Sequence, residues 1–295
     1  MSKRHLLLGL ALLGSAAVAA EPLTDADEIV ARANLAAYYG GADGRSEVRM
    51  IISDAQGRQQ RRQFTVLRRD VEDGGDQQFL VMFSQPSDVR GTIFLVDKHM
   101  DRDDDRWLYL PGLDLVKRIS AGDKRTSFVG AHYFYEDVSG RRPSDDSHEF
   151  IEMTDEYYKL KHTPKQPASV EFASYVTWID RETFLPMKIE YTNESGDIYR
   201  RVSVLGVEDI DGHPTVTTSR VSDLLAGGQT DMQFRYIKYD IGVPAEIFSE
   251  RSLRNPPQEW LKRPVNRSCA GHEQTAVVIV IPAACANGAG RHVGR

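Results

Sequence analysis

Gln78-Phe79-Leu80-Val81-Met82-Phe83 and Thr92-Ile93-Phe94-Leu95-Val96 are apolar on both faces of any strand they form. An antiparallel strand with one wet face alternates apolar and polar side chains, so two apolar faces mean that each side of the sheet is covered here. Two covers are in view: a helix near the start of the chain and the stretch between Gly122 and Val138. The pattern alone leaves open whether the inner side is filled core or a hollow.

Outward from these strands the same period of two continues. Val48, Met50 and Ile52 alternate ahead of a turn at Asp54-Ala55-Gln56-Gly57, and Phe64 and Val66 follow. Trp107 and Tyr109, then Val116 and Ile119, extend the series. In the later half, Phe150 to Met153, Tyr157 to Leu160, Tyr175 to Ile179 and Met187 to Tyr191 read as strands. Asn193-Glu194-Ser195-Gly196 turns into Ile198 to Val207, followed by Thr215 to Val221 and Met232 to Tyr239. The expected total is about ten or eleven strands with few helices. No alternation of strand with long helix occurs, which argues against a parallel α/β sheet and for a twisted antiparallel sheet curling towards a barrel. One helix opens the body: Thr24 is the expected cap, Ile29, Val30, Ala33, Ala37 and Tyr38 form its apolar stripe, and Gly40-Gly41 stops it.

The termini differ from this body. Lys3 and Arg4 precede an apolar run from Leu6 to Leu13, and small residues follow up to Ala20, as in a secretory signal peptide over residues 1–20. That apolar run is short against the roughly 20 residues that span a bilayer. No cysteine precedes Cys269, so no thiol near the cleavage site carries a lipid. The expected location is the periplasm or outside the cell, unlipidated. Residues 21–260 read as one domain and 261–295 as an atypical, disordered tail. The chain of 295 residues carries a net charge of −6, and the tail holds five basic residues against one acid. The remaining body is therefore strongly acidic, which disfavours nucleic-acid binding.

Catalytic and cofactor motifs are absent. The sequence has no G-x-S-x-G, H-E-x-x-H, C-x-x-C or phosphate-binding glycine loop, so no enzyme activity and no cofactor is expected. Asp101, Asp103 and Asp105 occupy alternate positions of a calcium loop, but Arg106 stands where a glycine is needed and Gly112 where a bidentate glutamate is needed. No metal is expected. His99 and His132 have no spaced partners. What is left is a motif-poor β fold with an apolar interior, suited either to carrying a lipid or to scaffolding a partner. Burying acyl carbon yields about 0.8 kcal/mol per methylene, so a sixteen-carbon chain offers at most about 12 kcal/mol and needs few polar contacts.

Asp105-Arg106-Trp107-Leu108-Tyr109-Leu110-Pro111, Val116-Lys117-Arg118-Ile119, Phe128-Val129-Gly130 and Tyr133-Phe134-Tyr135-Glu136-Asp137 resemble the signature of outer-membrane lipoprotein-sorting proteins. This is the LolA-like superfamily, in the branch often encoded beside RND-type exporters. Trp178-Ile179-Asp180 with Leu185-Pro186-Met187-Lys188 is similar to a strand pair common to that superfamily. Where many members read Gly-Ser-Asp-Phe-Ser-Tyr-Glu-Asp, this chain has Gly130-Ala131-His132-Tyr133-Phe134-Tyr135-Glu136-Asp137, which keeps the aromatic character. The resemblance implies an incomplete antiparallel β-barrel closed by helices around a cavity for lipid or lipoprotein acyl chains, with an inner-membrane RND-type exporter as partner. On this reading Phe79, Val81, Phe83, Ile93, Leu95, Trp107 and Tyr109 are candidates for the cavity lining. Arg118 and Asp137 are candidates for a latch, and Tyr133, Phe134 and Tyr135 for lid aromatics.

Overall fold

The computed structural model describes residues 23–261; the expected signal peptide and nearly all of the expected tail lie outside them. Helix α1 (Ala26–Tyr38) comes first. Its cap is Asp25, one residue after the expected Thr24, whose carboxylate accepts the Glu28 backbone N–H at 3.1 Å. Six strands follow: β1 (Asp43–Ser53), β2 (Gln59–Asp70), β3 (Gln77–Gln85), β4 (Ile93–Lys98), β5 (Asp105–Leu110) and β6 (Leu115–Arg118). After a long crossover carrying the short helix α2 (Tyr135–Ser139) come β7 (Asp146–Met153), β8 (Tyr157–Pro164), β9 (Ser174–Asp180) and β10 (Pro186–Thr192). The sheet is completed by β11 (Ile198–Ile210), β12 (His213–Asp223) and β13 (Gln229–Tyr239), before helices α3 (Glu250–Arg254) and α4 (Gln258–Leu261).

All pairings are antiparallel, and the 13 strands form one open sheet in the order β6-β5-β4-β3-β2-β1-β13-β12-β11-β10-β9-β8-β7. Each run of alternating residues quoted from the sequence is a strand; only their total exceeds the ten or eleven expected. Two meanders are joined where β1 meets β13, with Val48 opposite Phe234 and Met50 opposite Met232. Consecutive β6 and β7 consequently lie at opposite margins, and residues 119–145 must cross the sheet to connect them.

The period of two sorts the side chains. Phe79, Val81 and Phe83 of β3, Phe94 and Val96 of β4 and Phe64 of β2 face inward, in one buried cluster with Phe128, Tyr133 and Tyr135 of the crossover. Helix α1 covers the far part of this inner face, where Ile29 and Ala33 pack on Tyr158, Leu160 and Ile179. Leu67, Leu80, Ile93 and Leu95 face outward, buried beneath Val243, Ile247, Phe248 and Leu253. The second cover is thus the segment after β13 rather than the opening helix, and the helix and crossover share the inner face. Asp43 secures its start by accepting the backbone N–H groups of Ile241, Gly242 and Val243 at 2.8–3.0 Å. Arg45 secures its end by donating to the carbonyls of Trp260 and Leu261 at 3.0 and 3.2 Å. Leu261, assigned to the tail from sequence, is buried in this body.

Candidate functional site

Between the inner face, the end of α1 and the crossover lies a cavity of about 320 Å³. Phe64, Val66, Phe79, Val81, Met232 and Phe234 form much of its apolar wall. The volume falls at the lower end of the range for small-molecule sites, roughly 300–1,000 Å³. A hollow of this size, partly open to the surface, runs against ordinary core packing, where voids larger than a water molecule are few, and the aromatic side chains around it do not collapse into it.

The crossover closes one wall. Phe128 is buried with its ring centroid 5.7 Å from Phe83, 5.5 Å from Phe94 and 5.6 Å from Tyr135. The chain reaches it through a tight turn in which Ala131 N–H donates to the Phe128 carbonyl at 3.0 Å. Val129 and Gly130 occupy the central positions at φ 49° and 82°, which glycine adopts freely and a β-branched residue does not. Further along, the Tyr133 hydroxyl meets Ser219 Oγ at 2.7 Å. Thr230 accepts the His132 backbone N–H at 3.0 Å, so its own hydroxyl proton is free for His132 Nδ1 at 2.8 Å. That arrangement suits the neutral ring, and burial lowers the His132 pKa accordingly.

Asp137 makes the ionic attachment. Its Oδ2 accepts from Arg200 Nη2 of β11 and caps the Phe134 N–H at 2.7 Å. Arg200 is buried, and its Nε and Nη1 find no hydrogen-bond acceptor. The guanidinium instead lies 4.4 Å from the Phe134 ring and 5.0 Å from the Tyr191 ring, so aromatic faces stand in for the missing acceptors. Beside it, Arg125 lies over Phe134, Phe172 and Tyr191 and bonds Glu136 at 3.0 Å and Glu171 at 2.6 Å. Burial alone would raise the Glu136 carboxyl, but Arg125, Arg141 and Lys124 outweigh it and hold the group below the usual carboxylate range.

The residues singled out from sequence do not all meet at this cavity. Phe79 and Val81 line it; Phe83 shares their face but is sealed beneath Phe128. Ile93, Leu95, Trp107 and Tyr109 are placed on the outer face with the segment after β13, away from the cavity. The alternation fixes this: Ile93 pairs with Met82 and Leu95 with Leu80, both outward residues of β3, so Phe94 and Val96 are the inward pair. Tyr133 lines the cavity, Phe134 stacks on the two arginines and Tyr135 joins the aromatic cluster. Arg118 and Asp137 do not meet. Arg118 is exposed on the outer face at the sheet margin, where it pairs with Asp105. Asp105 also pairs with Arg102, and Asp103 faces Arg142. Among the described residues no group of three or more His, Cys, Asp or Glu is arranged to hold a metal.

Arg200 was not singled out from sequence, although the alternation through Val202 places it on the inner side. The sequence marks Tyr38 only as part of the apolar stripe of α1 and Tyr191 only as the end of a strand, since single tyrosines in a helix and a strand carry no motif.

A family model described as uncharacterized protein-like matches residues 75–255. No curated protein matches the chain. Among solved structures, a DUF1329 family protein from Desulfovibrio piger is 28% identical with a TM-score of 0.71, over 77% of this chain and 97% of that one. An outer membrane lipoprotein-sorting protein domain from Vibrio parahaemolyticus is 26% identical with a TM-score of 0.71, over 78% of this chain and 98% of its own. A LolA superfamily protein from Nitrosomonas europaea, 20% identical with a TM-score of 0.60 over 78% and 99% of the two chains, shares the fold. The family match over residues 75–255 and these neighbours agree with the open antiparallel sheet: the chain belongs to the LolA-like family.

Proposed function

We propose that this protein is a periplasmic carrier that holds the acyl chain of a lipid or lipoprotein in the apolar cavity. The observation that carries this reading is the hollow of about 320 Å³ walled by Phe64, Val66, Phe79 and Val81, a space that a filled core would not leave. Residues 119–140 act as the lid, with Phe128 as its plug and the Asp137–Arg200 pair as its latch. The chain carries no nucleotide motif, so release is driven by a site of higher affinity or by a membrane partner. The family resemblance implies an RND-type exporter in that role. No helix among the described residues is long and apolar enough to cross a membrane.

A cavity-filling substitution tests the reading. Val66 is half-buried in the wall, and Val66→Trp places an indole where the guest would lie. Protein purified from a membrane-bearing host is extracted with organic solvent and the extract is analysed by mass spectrometry. The wild type is expected to yield stoichiometric lipid and the variant little, with no fall in melting temperature. Lipid-free wild-type protein would point instead to a scaffold whose sheet binds a protein partner.

A further inference from the structure

Beside the apolar cavity lies a second one of about 220 Å³, and Ala37, Tyr38, Tyr133 and Asp137 wall both. Its character is different, for Arg125, Glu136, Arg141, Arg142, His148 and His162 contribute to its lining. The charges there are matched. Arg125 bonds Glu136 and Glu171, while Arg141 holds Asp146 through two nitrogens at 2.7 and 2.8 Å. Arg142 bonds Asp145 at 2.9 Å, Lys124 lies 3.4 Å from Glu136, and Asp137 takes Arg200. These five cations thus face five carboxylates, with Asp103 a sixth beside Arg142 and Lys124, and none of the five is without a carboxylate partner.

The hydrogen bonds of the two histidines require no charge. His148 donates Nε2–H to the Pro143 carbonyl at 3.0 Å, leaving its Nδ1 to accept from His162 Nδ1 at 2.8 Å. His162 Nε2 then accepts the Thr177 hydroxyl at 2.7 Å, and all four nitrogens are satisfied with both rings neutral. Tyr175 is likewise engaged, donating to Asp146 at 2.7 Å. Two lining hydroxyls differ: those of Tyr38 and Tyr191 have no hydrogen-bond partner among the described residues. Neither belongs to the sealed, unsatisfied groups, so each opens onto cavity space.

We infer that this second chamber seats the polar end of the cargo, and that this end is uncharged and oxygen-bearing. The inference rests on the carrier reading above. A carboxylate or phosphate entering the chamber would lose part of its hydration without finding a cation that lacks a carboxylate, unless it broke an existing pair. An alcohol, ester or amide faces no such penalty and gains two hydroxyls that both donate and accept. A free neutral lipid and the acylated end of a lipoprotein share this chemistry.

The test uses delipidated protein loaded with the fluorescent hydrocarbon probe N-phenyl-1-naphthylamine, displaced at neutral pH by ligands of one acyl chain. We expect 1-oleoylglycerol to bind at least tenfold more tightly than oleate or oleoyl-lysophosphatidylglycerol. A triacylated lipopeptide run alongside assigns the source: tighter binding than 1-oleoylglycerol indicates a lipoprotein end, weaker binding a free lipid, and either supports an uncharged head. Equal affinities across the heads, or tighter binding of an anionic one, overturn the inference while leaving the carrier reading intact. Failure of the probe and of every lipid to bind overturns both. Tyr191→Phe, which touches only the second chamber, is expected to weaken 1-oleoylglycerol about fivefold, the worth of one neutral hydrogen bond, without altering probe uptake. If Tyr191→Phe takes up probe and retains wild-type affinity for 1-oleoylglycerol, the assignment is wrong.

Discussion

Replacing Asp137 with asparagine should loosen the lid without unfolding the sheet. The side chain of Asp137 is 18% exposed and that of Arg200 4%, so the pair is shielded from solvent on the arginine side. Arg200 already lacks acceptors for Nε and Nη1, and Asp137→Asn removes its only carboxylate. Breaking a fully buried pair costs roughly 3–5 kcal/mol, and a charge-assisted hydrogen bond is worth roughly 1.5–3 kcal/mol. Asparagine keeps one acceptor and Asp137 keeps some water, so about 2–3 kcal/mol is the appropriate figure here. If that energy is released on lid opening, the opening equilibrium shifts by roughly 30- to 150-fold. Hydrogen exchange reads this directly at the Tyr135, Glu136 and Gly140 amides, which donate to Thr126, Lys124 and Glu136 carbonyls. Their protection should fall by that factor while β12 and β13 amides change little. Arg118→Gln, on the outer face, should leave the same amides unaffected. If lid and sheet amides lose protection in equal measure, the crossover is not an independently opening element and the latch assignment fails.

Two further perturbations follow from the same geometry. Burial, with His148 alongside, pulls the His162 pKa down to about 3, whereas the unfolded chain titrates near 6.5. The unfolded state therefore binds more protons between these values, so the stability held above pH 6.5 is lost progressively on acidification towards pH 3, by up to about 1.4 kcal/mol per pH unit. Urea titrations across that window should give a shallower slope, by about one proton, for His162→Gln, and an unchanged slope would reject the assignment. Gly140→Ala should destabilise the protein by about 1–3 kcal/mol, because φ is +78° and the new Cβ would run into the Tyr38 ring. Thermal unfolding should show this as a drop of several degrees, and a neutral result would mean that Tyr38 moves freely.

The sequence made the strands readable because each buries one or both faces at a period of two, and this local signal survives without knowledge of partners. Which face of β4 points inward was not readable, because both sides of Ile93-Phe94-Leu95-Val96 are covered and parity is set only by pairing with β3. The outer cover escaped notice for a related reason. Ile241, Val243, Ile247, Phe248 and Leu253 follow no helical or strand period; Pro244 interrupts them, and Pro256 and Pro257 follow. The lid motif stood out through its aromatics, yet its ionic partner Arg200 lies 63 residues from Asp137, and nothing local announces that contact.

The placement of β6 and β7 at opposite margins has a mechanical result. A flap hinged at one side swings clear, but a belt buckled at both ends can only slacken or draw its two anchors apart. Residues 119–145 are such a belt, and on the carrier reading proposed above a thicker guest would have to use up the slack of that segment or spread the rims of the sheet.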